Sequence, residues 1–168
     1  KAEGGPTMGL GINFDVGYGA NKVLEILDKN GMGYGANVFF NYFFTENFAL
    51  AANFDYIQYT PTADKDFVLG CAALLVGLKV VLPLDALKVY GEADVGYSNW
   101  RIEYDNVEYG TSSNRLAFQF KAGINYFFSD NWALNANFLY FVPNAAGTET
   151  GENIVSHIGG QVGVGYFF

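Results

Sequence analysis

Large apolar residues alternate with small or polar residues along most of the chain. In the first such segment, Leu10, Ile12 and Phe14 are separated by Gly11 and Asn13. A period of two residues sends successive side chains to opposite faces of a β-strand, so this pattern predicts strands. The predicted strands cover residues 8–18, 33–44, 48–56, 68–82, 87–98, 115–128, 132–140 and 157–168.

The most apolar stretch, residues 67–84, has a second interpretation. It approaches the ~20 apolar residues that a transmembrane helix needs. However, it contains Gly70, Gly77 and Pro83, is rich in valine, and lies among segments with a two-residue period. We therefore predict a strand here.

The connections between the strands alternate in length. Such alternation predicts an antiparallel up-and-down order with the tight turns at one end. At this length we expect a single domain over residues 1–168. The short connections are 45–47, 84–86 and 129–131, and the longer ones are 20–30, 60–66, 99–114 and 143–153.

The face that points inward decides the class of barrel. An eight-stranded barrel has too little interior volume for several large residues from every strand. Nor would glycine, alanine and asparagine form the charged exterior of a soluble protein, and the chain is 51% apolar and only 15% charged. We therefore predict an all-β, eight-stranded transmembrane barrel, with bulky residues toward lipid and small or polar residues inside. Closure would leave no unpaired strand edge in hydrocarbon.

The charged residues on the predicted inward face balance. Buried charges are seldom left unpaired, so we expect them to form a network. Position along neighbouring strands suggests two ion pairs, Lys79 with Glu92 and Asp94 with Lys121, and strand stagger leaves Asp15 and Asp55 as alternative acceptors. The inward acids are Asp15, Asp55, Glu92 and Asp94, and the inward bases are Lys79, Lys88, Arg115 and Lys121.

Residues suited to catalysis or metal binding are few. His157 is the only histidine and Cys71 the only cysteine, which excludes metal sites built from several of either. Ser156 adjoins His157, but neighbours on a strand point to opposite faces, so they would not form a nucleophile and base pair. The net charge of −8 disfavours nucleic acid as a partner. We expect no cofactor and no enzymatic activity; the alternative is a lipid A-modifying enzyme.

Several segments resemble a known family. The ending VGVGYFF is similar to the last strand of Gram-negative outer-membrane barrels, and residues 41–54, 75–98 and 125–138 are similar to the small OmpA, OmpX and OmpW type barrels. The resemblance implies a monomer in the bacterial outer membrane, surrounded by lipid bilayer and lipopolysaccharide. It also implies that both termini and the short turns face the periplasm. Tyr166 and Phe168 would be the signal that the outer-membrane assembly machinery reads.

Two functions are compatible with this pattern. The first is a structural or surface-interaction barrel with a plugged polar interior, acting through its outer loops. The alternative is a narrow, porin-like or OmpW-like channel for small or apolar solutes. The predicted filling of the interior favours the first.

Overall fold

The eight strands form one closed antiparallel barrel. The computed structural model describes residues 7–20, 31–59, 67–105, 107–143 and 156–168. The strands are β1 (Met8–Ala20), β2 (Gly31–Phe43), β3 (Phe48–Tyr59), β4 (Phe67–Leu84), β5 (Leu87–Tyr104), β6 (Val107–Phe127), β7 (Trp132–Val142) and β8 (Ser156–Phe167).

The barrel is closed by the pairing of its first and last strands. Each strand pairs with its neighbours in sequence, and β1 also pairs with β8 from Gly9–Phe167 to Ala20–Ser156. The two ends are tied further, because the Phe168 carbonyl accepts hydrogen bonds from the amides of Thr7 at 3.0 Å and Met8 at 2.9 Å. Strand pairing therefore continues around the whole circumference.

The side chains alternate between the two faces as the sequence predicts. Along β2, buried and exposed positions follow one another almost without exception. Most of the large apolar residues face outward; Tyr97, for example, is 61% exposed, whereas Asn37 and Gln119 on the inward face are buried. The predicted orientation, with the bulky face outside, is confirmed.

The apolar stretch at residues 67–84 is strand β4, as predicted. Within the described ranges, no helix has the length and apolar character needed to cross a membrane.

The short turns lie where the sequence predicts them, and two share one construction. The Thr45 hydroxyl accepts hydrogen bonds from the amides of Asn47 at 3.3 Å and Phe48 at 3.1 Å. At the β6–β7 turn, the Ser129 hydroxyl accepts one from the Trp132 amide at 3.0 Å. Such hydroxyls stabilise turns by binding the backbone that follows them. The β4–β5 turn instead places Asp85 in the left-handed region, with φ 53°.

The predicted long connection at 99–114 is wrong. Strand β5 continues to Tyr104, and β6 begins at Val107. Beyond Ser98 the chemical character of the two faces is exchanged. The apolar Trp100 points inward and is buried, while the charged Arg101 points outward and is exposed. A register shift between Ser98 and Trp100 further interrupts the pattern. A search for bulky outward faces therefore misses these residues. The other predicted long connections fall largely outside the described residues.

The fold predicts a heat-modifiable β-protein. In detergent, circular dichroism should show a dominant β signal. The unboiled protein should migrate differently from the boiled one on a denaturing gel, because a closed barrel has no free edge at which unfolding can begin. A mainly helical spectrum, or identical migration of the two samples, would contradict the fold.

Candidate functional site

The interior of the barrel is stacked in three layers along its axis. The inward residues of β3 show the order from the short turns upward: Ala49, then Asn53 and Asp55, then Ile57 and Tyr59. We call the three layers the short-turn layer, the polar layer and the long-loop layer. The polar layer consists of the buried residues Asn13, Asp15, Asn37, Asn41, Asn53, Asp55, Lys79, Glu92, Asp94, Gln119, Lys121, Asn125, Asn135, Asn137 and Gln161. The short-turn layer consists of Phe39, Phe43, Ala49, Val81, Tyr90, Ala133 and Phe167. The long-loop layer consists of Ile57, Tyr59, Leu69, Cys71, Ala73, Leu75, Trp100, Ala117, Leu139 and Phe141.

The two apolar layers depart from the sequence prediction of a small and polar interior. Leu139 and Phe141 could have been found from the sequence, because they continue the inward parity of Asn135 and Asn137 on β7. The signal was obscured because bulky residues occur on both faces there. The interior is therefore polar only through its middle.

Glu92 lies at the centre of the polar layer. Its carboxylate is 2.7 Å from Lys79 Nζ and 3.5 Å from Lys121 Nζ, and it accepts a hydrogen bond from Asn53 Nδ2 at 2.8 Å. Strand register produces this arrangement, because Glu92 on β5 lies directly opposite Lys79 on β4 and Lys121 on β6. All three charged side chains are buried, so their attraction is little weakened by water.

A ladder of asparagine amides leads to this centre around the barrel wall. Asn13 Nδ2 donates to Asn37 Oδ1 at 2.9 Å, and Asn37 Nδ2 donates to Asn53 Oδ1 at 3.2 Å. Asn53 Nδ2 then donates to Glu92 and, at 3.3 Å, to Asp94 Oδ2. Because each amide uses its N–H group toward the next strand, the ladder directs hydrogen-bond donors toward the carboxylates.

Asp15 and Asp55 form a second polar group nearer the long loops. Gln161 Nε2 lies between them, 2.9 Å from Asp15 Oδ2 and 3.5 Å from Asp55 Oδ1. Asp55 also accepts from Gln119 Nε2 at 3.2 Å, and Asp15 Oδ1 is 2.9 Å from His157 Nε2. Amides and an imidazole thus contact these carboxylates.

The His157 side chain points from β8 into the barrel and is fully buried. Its ring packs edge-on against Tyr59, with 5.6 Å between ring centroids. Two glycines leave the space it occupies: a Cβ at Gly17 would lie 2.6 Å from His157 Cε1, and a Cβ at Gly159 would lie 2.6 Å from Nε2. The glycines therefore admit the imidazole to the interior.

One of the two predicted ion pairs is displaced. Lys79 and Glu92 lie together, but Lys121 faces Glu92, and Asp94 faces Gln119. The prediction that Asp94 lies opposite Lys121 is wrong, because Lys121 lies opposite Glu92, the inward residue before Asp94 on β5. Counting residues from a turn predicts the partners on the two strands that the turn joins. It does not predict partners across other strand pairs, because strands in a barrel are staggered.

The four acids and four bases of the predicted charge balance lie on inward positions, but two of the bases are only half-buried. Lys88 is half-buried among the rings at the short turns, with its Nζ 4.7 Å from the Phe127 ring centroid. Arg115 is half-buried opposite Ser98. Lys88 is the second residue of β5, beside the short turns, whereas Arg115 lies within β6. Among the described residues, the buried lysines and arginines are therefore Lys79 and Lys121, which share the interior with four carboxylates.

The polar layer is tightly packed. The space between its side chains measures about 160 Å³ and contains no position that a water molecule fits; Asn13, Lys79, Glu92 and Lys121 are among the residues around it. Within the described parts of the chain, no three histidine, cysteine, aspartate or glutamate side chains are grouped to hold a metal ion.

The two residues of the predicted assembly signal lie together on the outward face of β8 and the residue after it. The rings of Tyr166 and Phe168 are stacked with centroids 5.9 Å apart, and Trp132 contacts Tyr166 at 5.1 Å. Phe167 between them points inward and packs against Phe127. The end of the chain thus contributes to both an outer aromatic group and the short-turn layer.

Comparison with known proteins identifies the class of this barrel. The model of the outer membrane protein beta-barrel domain family matches residues 1–168. The crystal structure of Neisserial surface protein A (NspA) is 14% identical with a TM-score of 0.77, covering 99% of this chain and 100% of that one. No curated protein sequence matches the chain.

Two further solved structures share the architecture. Ail, the attachment invasion locus protein of Yersinia pestis, is 14% identical with a TM-score of 0.65, covering 98% of this chain and 100% of its own. The outer membrane enzyme PagL is 13% identical with a TM-score of 0.57, covering 91% and 97%. Identities this low show a common fold and no more.

The geometry around Glu92 predicts a large effect of its removal. Glu92→Ala should lower the free energy of unfolding by about 3–5 kcal/mol, because it leaves Lys79 and Lys121 buried without their shared carboxylate. Urea titration of the refolded protein in lipid vesicles measures this change.

The matched control is Glu103→Ala, which removes a glutamate whose partner, Arg101, is exposed to water. Its loss should cost no more than about 1 kcal/mol. Equal losses for the two variants would contradict the buried network.

Proposed function

Because the chain belongs to the outer membrane protein beta-barrel domain family, we propose that it is a closed, monomeric barrel that acts through its long loops. In this proposal the interior is a plug and not a passage. The barrel serves a structural or surface-interaction role at the bacterial outer membrane, and its loops meet lipopolysaccharide or an external surface.

The observation that carries this proposal is the position of the polar layer between two apolar layers. An ion crossing the barrel would have to pass Phe167 and its neighbours at one end and Trp100 and its neighbours at the other. Apolar constrictions exclude water and so oppose conduction. Between them, Lys79, Glu92 and Lys121 satisfy one another and leave no space for a water molecule. A solute would need to break these ion pairs to pass.

The first and last described residues lie at the same end of the barrel as the short turns, which supports an orientation of the barrel in the membrane. The Thr7 amide donates to the Phe168 carbonyl, and the Phe168 amide donates to the Met8 carbonyl on β1, beside the short turns. We propose that this end faces the periplasm and that the longer connections face the outside. The names of two similar structures, a surface protein and an attachment invasion locus protein, are compatible with a role at the outer surface.

A narrow channel is the second candidate, and one observation favours it. Several buried polar atoms have no hydrogen-bond partner, among them Asn13 Oδ1, Gln119 Oε1 and Gln161 Oε1. A polar lining with unused acceptors would hydrate readily if the apolar layers opened.

Conductance in planar bilayers distinguishes the two functions. The wild type should not conduct, whereas a double variant, Trp100→Ala with Phe167→Ala, should conduct because water entering through both opened apolar layers would hydrate the polar layer and separate its ion pairs. The matched control is Trp132→Ala with Phe128→Ala, which removes the same two residue types from the outward face.

Strong conductance of the wild type would favour the channel. A double variant that folds, as judged by its gel shift, and still does not conduct would show that the polar layer alone closes the barrel.

The assembly signal is tested by comparing two outward phenylalanines at the short-turn end. Phe168 and Phe128 are 53% and 56% exposed. Phe168→Ala should lower membrane insertion in cells several-fold, because the assembly machinery would read the terminal ring, while leaving refolding into detergent unchanged. Phe128→Ala should lower neither. Equal effects of both substitutions in cells would indicate that Phe168 contributes only to anchoring.

A further inference from the structure

The buried charges inside the barrel do not balance. Four carboxylates share the interior with two lysines and one histidine, and even a charged histidine would leave one carboxylate without a cation among the buried, described residues. A buried charge without a partner is so unfavourable that the group takes up a proton instead. We infer that Asp94 is this group and that the folded barrel binds a proton on its carboxyl. The acids are Asp15, Asp55, Glu92 and Asp94, and the bases are Lys79, Lys121 and His157.

The two buried lysines are directed at the neighbour of Asp94. Glu92 lies 2.7 Å from Lys79 Nζ and 3.5 Å from Lys121 Nζ, and within the described parts of the chain Asp94 takes part in no ion pair. Asp94 is the next inward residue after Glu92 on β5. An ionised Asp94 would therefore add a second negative charge beside a carboxylate that already uses both cations.

The hydrogen bonds of Asp94 are too few for a buried carboxylate. Its Oδ2 accepts from Asn53 Nδ2 at 3.3 Å, but the same nitrogen lies closer to Glu92 Oε1, at 2.8 Å. Its Oδ1 is buried and has no partner. Gly77, directly opposite on β4, brings no side chain to this oxygen, and a Cβ there would collide with it. One long, shared hydrogen bond would thus have to stabilise the whole charge.

Unused acceptors lie beside Asp94. Gln119, directly opposite on β6, directs its Nε2 to Asp55 at 3.2 Å, and its Oε1 is buried without a donor. The Asp94 and Glu92 carboxyls are also in hydrogen-bond contact, and two carboxyls form such a bond only when one of them carries a proton. Glu92 remains ionised because both lysines contact it. An O–H group on Asp94 therefore supplies the donor that these acceptors lack.

Asp15 shows how this interior accommodates a carboxylate. The sequence Asp-Val-Gly-Tyr begins at Asp15 on β1 and again at Asp94 on β5, and both aspartates point inward. Asp15 Oδ2 accepts from Gln161 Nε2 at 2.9 Å, and its Oδ1 lies 2.9 Å from His157 Nε2. Both oxygens of Asp15 therefore have a partner, whereas one oxygen of Asp94 has none. The same four residues thus hold two aspartates in different surroundings.

Loss of the proton would place two negative charges side by side. The space around Asn53 and Glu92, which both contact Asp94, has no position that a water molecule fits. The unfolded chain releases this proton near about pH 4, so at higher pH the folded state binds one proton more, and stability falls as the pH rises until the folded protein also releases it. The inward titratable side chains of the described residues are Asp15 on β1, Asp55 and Tyr59 on β3, Cys71 and Lys79 on β4, Lys88, Tyr90 and Glu92 on β5, Arg115 and Lys121 on β6, and His157 on β8.

Infrared spectroscopy of the refolded protein tests the inference. The sample is measured at neutral pH in dodecyl maltoside, a detergent without ester groups, because lipid esters absorb near the C=O stretch of a protonated carboxyl. The wild type should show this band, and aspartate labelled with ¹³C in its side-chain carboxyl should lower the frequency. Asp94→Asn should abolish the band. The matched control, Asp15→Asn, should retain it.

The pH dependence of stability provides the second test. Asp94→Asn keeps the shape of the neutral acid but cannot release a proton. Above about pH 4, the ratio of the wild-type unfolding constant to that of Asp94→Asn should therefore rise by up to about tenfold per pH unit. Urea titrations over a series of pH values measure this ratio. Each variant is first checked for folding by its gel shift, and the wild-type band with its isotope shift remains decisive if one fails to fold.

Three results would overturn the inference. The first is a wild type without the band, or with a band that labelled aspartate does not move. The second is a band that Asp55→Asn abolishes and Asp94→Asn retains, because reversing the Gln119 amide would give Asp94 a donor and remove one from Asp55. The third is a ratio of unfolding constants that does not vary with pH. None of these measurements depends on whether the barrel conducts, so their outcome is separate from that of the closed-barrel function.

Discussion

Closure of the barrel through the pairing of β1 with β8 is the constraint on which the rest of the structure depends. Hydrocarbon offers no partner for an open strand edge, so all eight strands must pair in a ring. Eight strands fix a narrow circumference, and the interior must then be filled by the side chains that point into it. The choice of residues on the inward face follows from this small volume.

Two kinds of residue share that volume. Glycines such as Gly17 and Gly159 leave space for the ring of His157, while large residues such as Trp100 and Phe167 pack in the apolar layers on either side of the charges. Between these layers, charged groups are removed from water and must satisfy one another. Glu92 does this for two lysines at once, which links strands β4, β5 and β6 across the interior. Packing and charge pairing are therefore two consequences of the same confinement.

Small residues have a different consequence on the outward face. There they create no room for a neighbouring side chain, because the space beyond them is membrane. Ala122 and Gly160 instead lie on either side of Phe138, and the space above Gly160 is open. The protein thus combines an interior that contains paired charges with an uneven apolar exterior.

The sequence by itself determined the number of strands, their antiparallel order, the short turns and the outward face, because these depend on a two-residue period within each strand. It also placed Lys79 and Glu92 inside, since parity is a local property. Only the tertiary structure decided which inward side chains contact one another. Stagger between strands placed Lys121 opposite Glu92 and not opposite Asp94, and the fold left the inward side chains of Lys88 and Arg115 half-buried. His157 likewise meets Asp15, although 142 residues separate them, because register between strands is set by closure of the whole ring.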